Sequence, residues 1–331
     1  MSCNLHFTEK MDLKPKAYTQ KAMQVEVSDD RNGQRLDNFL ARHLRDLPKG
    51  ALYRLIRTGQ VRVNGGRAKP DRKLEAGDTV RIPPVVTRDT SVARVSDAVC
   101  EQVKAAILFE DDDFLVVDKP SGMAVHGGSG LPWGLIDAVR QIRPDQFIEL
   151  AHRIDRETSG CLILARNGQA LKSLSEQFRQ GKVVKHYLCL LSGKLKQRSL
   201  TVEAPIAAGQ KGGEKHMHAD ESGRRATTRF SLLHQYEEGS YAKAEIETGR
   251  THQIRVHAEY LGAALAGDKK YGSAKQRRRW RKLGLRRLFL HAGELRVQTP
   301  SGDTMTFSAP LPEPLRIFLD ALTEPASYQG K

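Results

Sequence analysis

His152-Arg153-Ile154-Asp155-Arg156-Glu157-Thr158-Ser159-Gly160-Cys161 is the stretch on which the reading of this chain turns. One carboxylate, Asp155, stands among arginines and small polar residues. The apolar run Leu162-Ile163-Leu164-Ala165 follows at once. A charged, glycine-containing segment feeding four consecutive apolar residues predicts a functional loop entering a buried strand. Thr158 and Ser159 read as loop hydrogen bonders, because no base and orienting group for a serine nucleophile can be assembled around them.

Upstream of that loop, Ile107-Leu108-Phe109 and Phe114-Leu115-Val116-Val117 flank the acidic turn Glu110-Asp111-Asp112-Asp113. This is a hairpin pattern. A single acidic run without EF-hand spacing or a second cluster does not make a metal site. Residues Leu131 to Arg143 read as a helix ended by Pro144. Gly128-Ser129-Gly130 has no Gly-Lys-Ser/Thr after it, and no G-x-G-x-x-G opens a helix, so triphosphate and dinucleotide binding are excluded. Downstream, Ala170, Leu171, Leu174 and Phe178 form a helical stripe, and strands are expected at Val183 to Leu191, Thr227 to Leu233 and Tyr241 to Thr248. The glycine- and lysine-rich Gly209 to Gly223 reads as a mobile loop, with His216 and His218 exposed to solvent rather than binding metal. Gly249-Arg250-Thr251-His252-Gln253-Ile254-Arg255-Val256-His257 enters a helix. Thr251 is its expected N-cap, Ile254, Ala258 and Leu261 share a face, and Gly262 ends it. This is not H-E-x-x-H, which excludes a zinc protease.

Ahead of this region lies a smaller unit. Val25-Glu26-Val27 alternates like a strand, and Leu36, Phe39, Leu40 and Leu44 share a helical face. Pro48 opens a second helix with Leu52, Leu55 and Ile56 inward, closed by Gly59. Val61-Arg62-Val63 runs into the turn Asn64-Gly65, Thr79 to Ile82 is a further strand, and Pro83-Pro84 ends the unit. Its outward positions are basic: Arg35, Arg42, Arg54, Arg57, Arg62, Arg67 and Lys69.

The 331 residues carry 54 Lys+Arg against 39 Asp+Glu, a formal net charge of +15. Such an excess favours polyanions, through counterion release. The most basic block, Lys275 to Arg287, includes Arg278 and Arg279 and surrounds Trp280, a mixture suited to single-stranded or loop RNA. Four cysteines, Cys3, Cys100, Cys161 and Cys189, lie far apart without a C-x-x-C pair. No zinc knuckle or disulfide framework is indicated, and a cytoplasmic location follows as the expectation. No apolar stretch approaches a membrane span, and the polar first residues are no signal peptide.

Three patterns, "HRIDRETSG" (152–160), "KHY" (185–187) and "TGRTHQIRVH" (248–257), resemble in this order and spacing the pseudouridine synthases that modify large-subunit ribosomal RNA. "RLDNFL", "GQVRVNG" and "LEAGDTVRIP" resemble an S4 RNA-binding domain. "KPSG", "VHGGSG" and "RLFLHA" look most like the C type of that family. The resemblance implies an α+β fold: a mixed, mainly antiparallel catalytic sheet with flanking helices and loops, preceded by the small S4-like domain. The expected division is a disordered arm over 1–23, the S4-like domain over 24–86, a linker over 87–103, the catalytic domain over 104–322 and a tail over 323–331.

It also implies the chemistry. Uridine loses its bond from N1 to C1′, the uracil turns, and it rejoins through C5, with no cofactor and no metal. Asp155 acts at C1′, by covalent trapping or electrostatic stabilisation. Arg255 keeps it ionised. Tyr187 stacks on the detached base and assists loss of the C5 proton. Ile254 packs on the base, Arg153 fills the space it leaves, and His152 polarises the site or hydrogen-bonds within its loop. Arg54, Arg57, Arg62, Lys69, Arg278 and Arg279 bind RNA. The partner is 23S ribosomal RNA or a pre-ribosomal particle, met by a monomer away from any membrane. Three other readings stay open on the residues. One is a non-catalytic RNA-binding assembly factor, another a D-type synthase with different target uridines. The third is a hydrolase pairing Asp155 with Glu157. Taken singly, Asp155 fits a capping residue, Tyr187 a core aromatic and Arg255 an i,i+4 partner of Glu259.

Overall fold

A computed structural model describes residues 17–20, 22–44, 47, 49–88, 94–128 and 131–323. Most of the expected arm, Pro48, Ser129-Gly130 and nearly all of the expected tail lie outside these residues. The chain forms two compact units that divide between Arg94 and Val95.

In the first unit the elements are β1 (Ala17–Gln20), β2 (Met23–Glu26), α1 (Leu36–His43), α2 (Lys49–Arg57), β3 (Arg62–Val63), β4 (Thr79–Ile82) and β5 (Val85–Arg88). Strands β2, β4 and β3 form one antiparallel sheet in that order. Leu36, Phe39, Leu40 and Leu44 of the first helix meet Leu52 and Ile56 of the second, with Val61, Val63, Val80 and Ile82 closing the core. Asn64 and Gly65 both have positive φ, 49° and 77°, as a tight hairpin turn requires. Arg54, Arg57, Arg62 and Lys69 are all exposed. Two expectations are corrected here. Ala17–Gln20 is not disordered, and the unit does not stop at Pro83-Pro84, because β1 pairs with β5 from Ala17↔Arg88 to Gln20↔Val85. Backbone ladder bonds hold this pair, and ladder bonds leave no apolar alternation to read in AYTQ.

The second unit runs through α3 (Asp97–Ala105), β6 (Ile107–Glu110), β7 (Phe114–Lys119), α4 (Leu135–Ile142), β8 (Glu149–Leu150), β9 (Ser159–Ala165), α5 (Gly168–Gln180) and β10 (Val184–Leu191). It continues with β11 (Ser199–Glu203), β12 (Ile206–Lys211), β13 (Glu214–Ala219), β14 (Thr227–Gln235), β15 (Ser240–Ile246), α6 (Gln253–Tyr260), α7 (Ala274–Lys282), β16 (Leu290–Gln298), β17 (Thr304–Ser308) and α8 (Glu313–Asp320). Ten strands form one mixed, mainly antiparallel sheet, ordered β11-β14-β15-β10-β16-β9-β7-β6, with β17 on β16 and β8 on β9. The pairing of β16 with β9 is parallel. Helices cover both faces of β7 and β9. Leu115, Val117, Leu162 and Leu164 pack with Val103, Leu135 and Val139, while Phe114, Val116, Cys161 and Ile163 pack with Ala170 and Leu174. Burial on both sides explains the unbroken apolar runs. Each large side chain so buried contributes roughly 2 kcal/mol.

Three further expectations change. Residues 97–103 are not linker: Cys100 and Val103 turn one face of α3 into the core. The helix expected from Leu131 begins at Leu135, because Gly134 is extended and its N–H goes to the Asp137 carboxylate at 2.8 Å. Gly209 to Gly223 is largely a paired hairpin, β12 with β13. Gly212 and Gly213, at φ 61° and 80°, make the two-residue turn.

The loop that carries Asp155 is clamped by the end of β7. Lys119 is fully buried, and its Nζ donates to the carbonyls of Pro120 (2.8 Å), Met123 (2.8 Å) and Arg156 (3.0 Å). These acceptors use all three N–H bonds of an ammonium. Burial, followed by the charge of Arg287, pushes Lys119 down to about 7. Ser121 Oγ donates to the Glu157 carbonyl at 2.7 Å, and the Gly122 N–H to that of Arg156 at 2.8 Å. At the strand end of the loop, a Cβ on Gly160 (φ 112°) would lie 2.2 Å from the carbonyl oxygen of Ala292 on β16.

Gly160→Ala is therefore expected to cost about 2–4 kcal/mol of stability, against about 1 kcal/mol for Gly284→Ala. Gly284 has φ 102° with nothing within 4 Å. Urea titration of both variants checks this, and equal midpoints would contradict the contact. Lys119→Met strands the carbonyls of Pro120 and Met123, leaves that of Arg156 only the Gly122 N–H, and is expected to cost about 2–4 kcal/mol by the same measurement. An unchanged midpoint would mean that they find other donors.

Candidate active site

A cleft of about 1010 Å³ opens over the Asp155 loop, the centre of β10 and the start of α6. His152, Arg153, Ile154, Asp155, Tyr187, Ile254 and Arg255 all line it, so three sequence patterns spread over residues 152–257 converge on one place. The cleft is rich in arginine, with Arg156, Arg179, Arg224, Arg225 and Arg250 among its lining.

Strand register explains the convergence of β9 and β10. Tyr187 lies opposite Ala292 on β16, and Ala292 lies opposite Gly160, five residues after Asp155. A shift in register between His186 and Tyr187 leaves Gly293 unpaired with β10 and re-aims the tyrosine. Tyr187 packs against apolar residues on both sides of this row. Burial first, and then the Asp155 charge, raise its pKa, so the phenol keeps its proton at neutral pH.

The Asp155 side chain is 24% exposed and faces the cleft. Its Oδ2 is 3.5 Å from Arg255 Nη1 and 3.9 Å from His252 Nε2. Arg255 does not pair along the helix with Glu259. Its Nε and Nη2 donate to Asp268 Oδ2 and Oδ1 at 2.8 and 2.9 Å, and the Asp268 side chain is wholly buried. Burial works against the Arg255 charge, but the Asp268 bonds and charge outweigh it and raise the pKa. Burial also opposes charge on Asp268, which Arg255 and the N–H groups of Tyr271 and Lys270 nevertheless hold below the usual carboxylate range.

The entry to α6 departs from expectation. Thr251 is not its cap. His252 occupies that position in the left-handed region, φ 58° and ψ 20°. Gln253 does the local bonding, its Oε1 accepting from the Arg250 N–H (3.0 Å) and from Thr248 Oγ1 (2.7 Å). The αL residue turns His252 into the cleft, where Nδ1 bonds Tyr271 Oη at 2.7 Å. Burial, then Arg255 and Lys270, lower the His252 pKa against the pull of Asp155.

His152 is turned toward the protein. Its Nε2 accepts the Ile163 N–H at 3.1 Å, its ring stacks on Phe178 at 4.6 Å, and burial holds it down to about 3. Arg153 is exposed at the rim, and Ile254 is buried beside Tyr187. Glu157, which a two-carboxylate hydrolase would need, lies 4.0 Å from Arg156 and is not among the cleft-lining residues. Trp280 is not available for stacking: the basic block forms helix α7, whose inner face buries Trp280, with Nε1 donating to Ser192 Oγ at 2.7 Å. Arg278 and Arg279 are exposed on that helix. His216 is buried against Tyr271, ring to ring at 4.8 Å, rather than solvated. Among the described residues no group of three His, Cys, Asp or Glu is placed to hold a metal ion. No described helix is long and apolar enough to cross a membrane. Four residues that sequence reasoning missed matter here: Lys119, His252, Asp268 and Tyr271. A lysine closing the apolar run Phe114–Lys119 was the one legible signal.

Residues 113–260 match the model of the RNA pseudouridylate synthase family, and residues 34–80 match that of the S4 domain. Over 317 residues the chain is 44% identical to the ribosomal large subunit pseudouridine synthase C of Pasteurella multocida (strain Pm70), covering 94% of this chain and 97% of that one. With the protein of the same name from Escherichia coli (strain K12) it shares 43% over 305 residues, 90% of this chain and 96% of that one. Among solved structures, human RNA pseudouridylate synthase domain containing 1 superposes with a TM-score of 0.55 at 28% identity, over 66% of this chain and 87% of that one. Human RNA pseudouridylate synthase domain containing 4, at 23% identity and a TM-score of 0.57 over 69% and 97% of the two chains, shares the fold. Near end-to-end matches at this identity show that the chain belongs to the RNA pseudouridylate synthase family.

Proposed function

We propose that this enzyme isomerises uridine to pseudouridine in 23S ribosomal RNA, free or within a pre-ribosomal particle, with Asp155 acting at C1′ of a swung-out nucleotide. The observation that carries the reading is the Asp155 carboxylate itself. It opens to the cleft and has one long contact to a cation, Arg255 Nη1 at 3.5 Å. A carboxylate so placed reaches a sugar carbon without first surrendering strong hydrogen bonds.

The step is internally balanced. The bond from N1 to C1′ breaks, positive character at C1′ is met by Asp155, and a bond from C5 to C1′ forms. The C5 proton leaves and N1 acquires one. The neutral Tyr187 phenol suits stacking on the detached uracil and relaying that proton, and Ile254 gives the base an apolar floor. Drawing a nucleotide out of a stacked strand costs a few kcal/mol, and Arg153 at the rim is suited to fill the gap with its planar guanidinium. The arginines around the cleft favour a polyanion. Arg278 and Arg279 on α7, and Arg54, Arg57, Arg62 and Lys69 on the first unit, extend RNA contact beyond the target nucleotide. His152 serves the loop through Ile163 rather than the substrate. The names of the relatives favour the C type over the D type. The reading takes the enzyme to act as a monomer, and ribosomal RNA as target supports a cytoplasmic setting.

Asp155→Asn is expected to lower isomerisation by roughly three orders of magnitude or more while RNA affinity stays within a few-fold. Carbodiimide-dependent primer-extension stops on transcribed 23S RNA measure the product, and retained turnover would overturn the assignment. A chain beginning at Val95 is expected to bind that RNA about tenfold or more weakly at matched salt, with single-turnover chemistry at saturating RNA changed far less. Equal affinity would remove the first unit from recognition.

A further inference from the structure

Among the buried charged groups that the chemistry above does not use is Asp268. Asp268 lies beyond α6, and its side chain is fully enclosed. Its carboxylate takes four donors. Arg255 supplies Nε to Oδ2 at 2.8 Å and Nη2 to Oδ1 at 2.9 Å. Oδ1 also accepts the Lys270 N–H at 2.8 Å and the Tyr271 N–H at 3.0 Å. Main-chain donors thus fix the carboxylate, and the carboxylate fixes the plane of the guanidinium, which also lies 5.0 Å from the centre of the Tyr271 ring.

A guanidinium prefers to grip a carboxylate with two parallel bonds. Were Arg255 to grip Asp155 in that way, both oxygens needed at the sugar would be tied to strong donors. Here that grip is given to Asp268, and Asp155 keeps one contact at 3.5 Å. The Arg255 charge is already balanced by Asp268 when it faces Asp155, so it steadies the reacting carboxylate without capturing it.

We propose that Asp268 is a positioning residue. By occupying the two-pronged face of Arg255, it limits Arg255 to a single long contact with Asp155 and leaves the Asp155 oxygens free for C1′. The proposal rests on the reading that Asp155 acts at the sugar. The other charged or titratable groups that act on Asp155 come from several elements: Lys119 at the end of β7, Tyr187 on β10, His252 at the start of α6, and Tyr271 in the segment after it.

The test uses full-length Asp268→Asn and Asp268→Ser, so that one folded variant suffices, with Asp268→Glu as the conservative control and Asp155→Asn alongside. Each is checked by circular dichroism and assayed for single-turnover pseudouridine formation on 23S transcript. With the grip vacant, Arg255 closes on Asp155. The maximal rate is then expected to fall about 10–100-fold with KM for RNA within about twofold, as for residues that orient a reacting group through a neighbour. Asp268→Glu, which restores a carboxylate for Arg255 to grip, is expected to recover most of the rate. A folded neutral variant with an unchanged rate, or a slower one that Asp268→Glu does not rescue, overturns the proposal while Asp155→Asn remains inactive. Turnover by Asp155→Asn would instead overturn the underlying reading.

Discussion

The site depends on one ammonium group. Lys119 sits at the end of a strand buried on both faces, and it spends its three donors on carbonyls of two segments, residues 120–123 and Arg156. A lysine so placed loses its hydration, and only a full set of acceptors makes its burial tolerable. The consequence is local rigidity. The main chain beside Asp155 is held by carbonyl bonds, so the Asp155 side chain is not needed to hold the loop and is free to face the cleft.

The same economy appears on the other side of the cleft. Asp268, enclosed and fixed by main-chain N–H groups, anchors Arg255, and Tyr271 anchors His252 through its hydroxyl. His252 reaches the cleft because its backbone is in the left-handed region, a conformation uncommon for residues other than glycine but one that histidine adopts more readily than most. Between these walls, Tyr187, Ala292 and Gly160 line up across three adjacent strands. The absence of a side chain at Gly160 lets β16 approach closely enough for that row to exist.

Much of this was legible in the sequence, and for definite reasons. The apolar spacing of Leu36, Phe39, Leu40 and Leu44 reports a helix because burial follows the helical period. Leu162 to Ala165 reads as a doubly covered strand because both of its faces meet helices. The gathering of Asp155, Tyr187 and Arg255 was legible only through the resemblance of their three motifs to a known family. Their separate partners were not, since Asp268 follows Arg255 by 13 residues through a turn that no periodicity encodes. The hairpin turn at Gly212-Gly213 carried a readable signal, but the surrounding lysines suggested solvent instead. Helix α7 escaped because its apolar contribution is concentrated in the single buried Trp280. Strand β1 escaped because its four residues, AYTQ, show no apolar alternation.

Strand β16 lies between β10 and β9, although it follows both by roughly 100 residues or more. Until Leu290–Gln298 is inserted, the strand that leads from Asp155 and the strand that carries Tyr187 are two open edges with nothing to join them. During synthesis, then, a nascent chain carries every residue proposed for chemistry well before it can act. The central seam is closed by a later segment of the chain, so competence waits on β16 rather than on the residues proposed for chemistry.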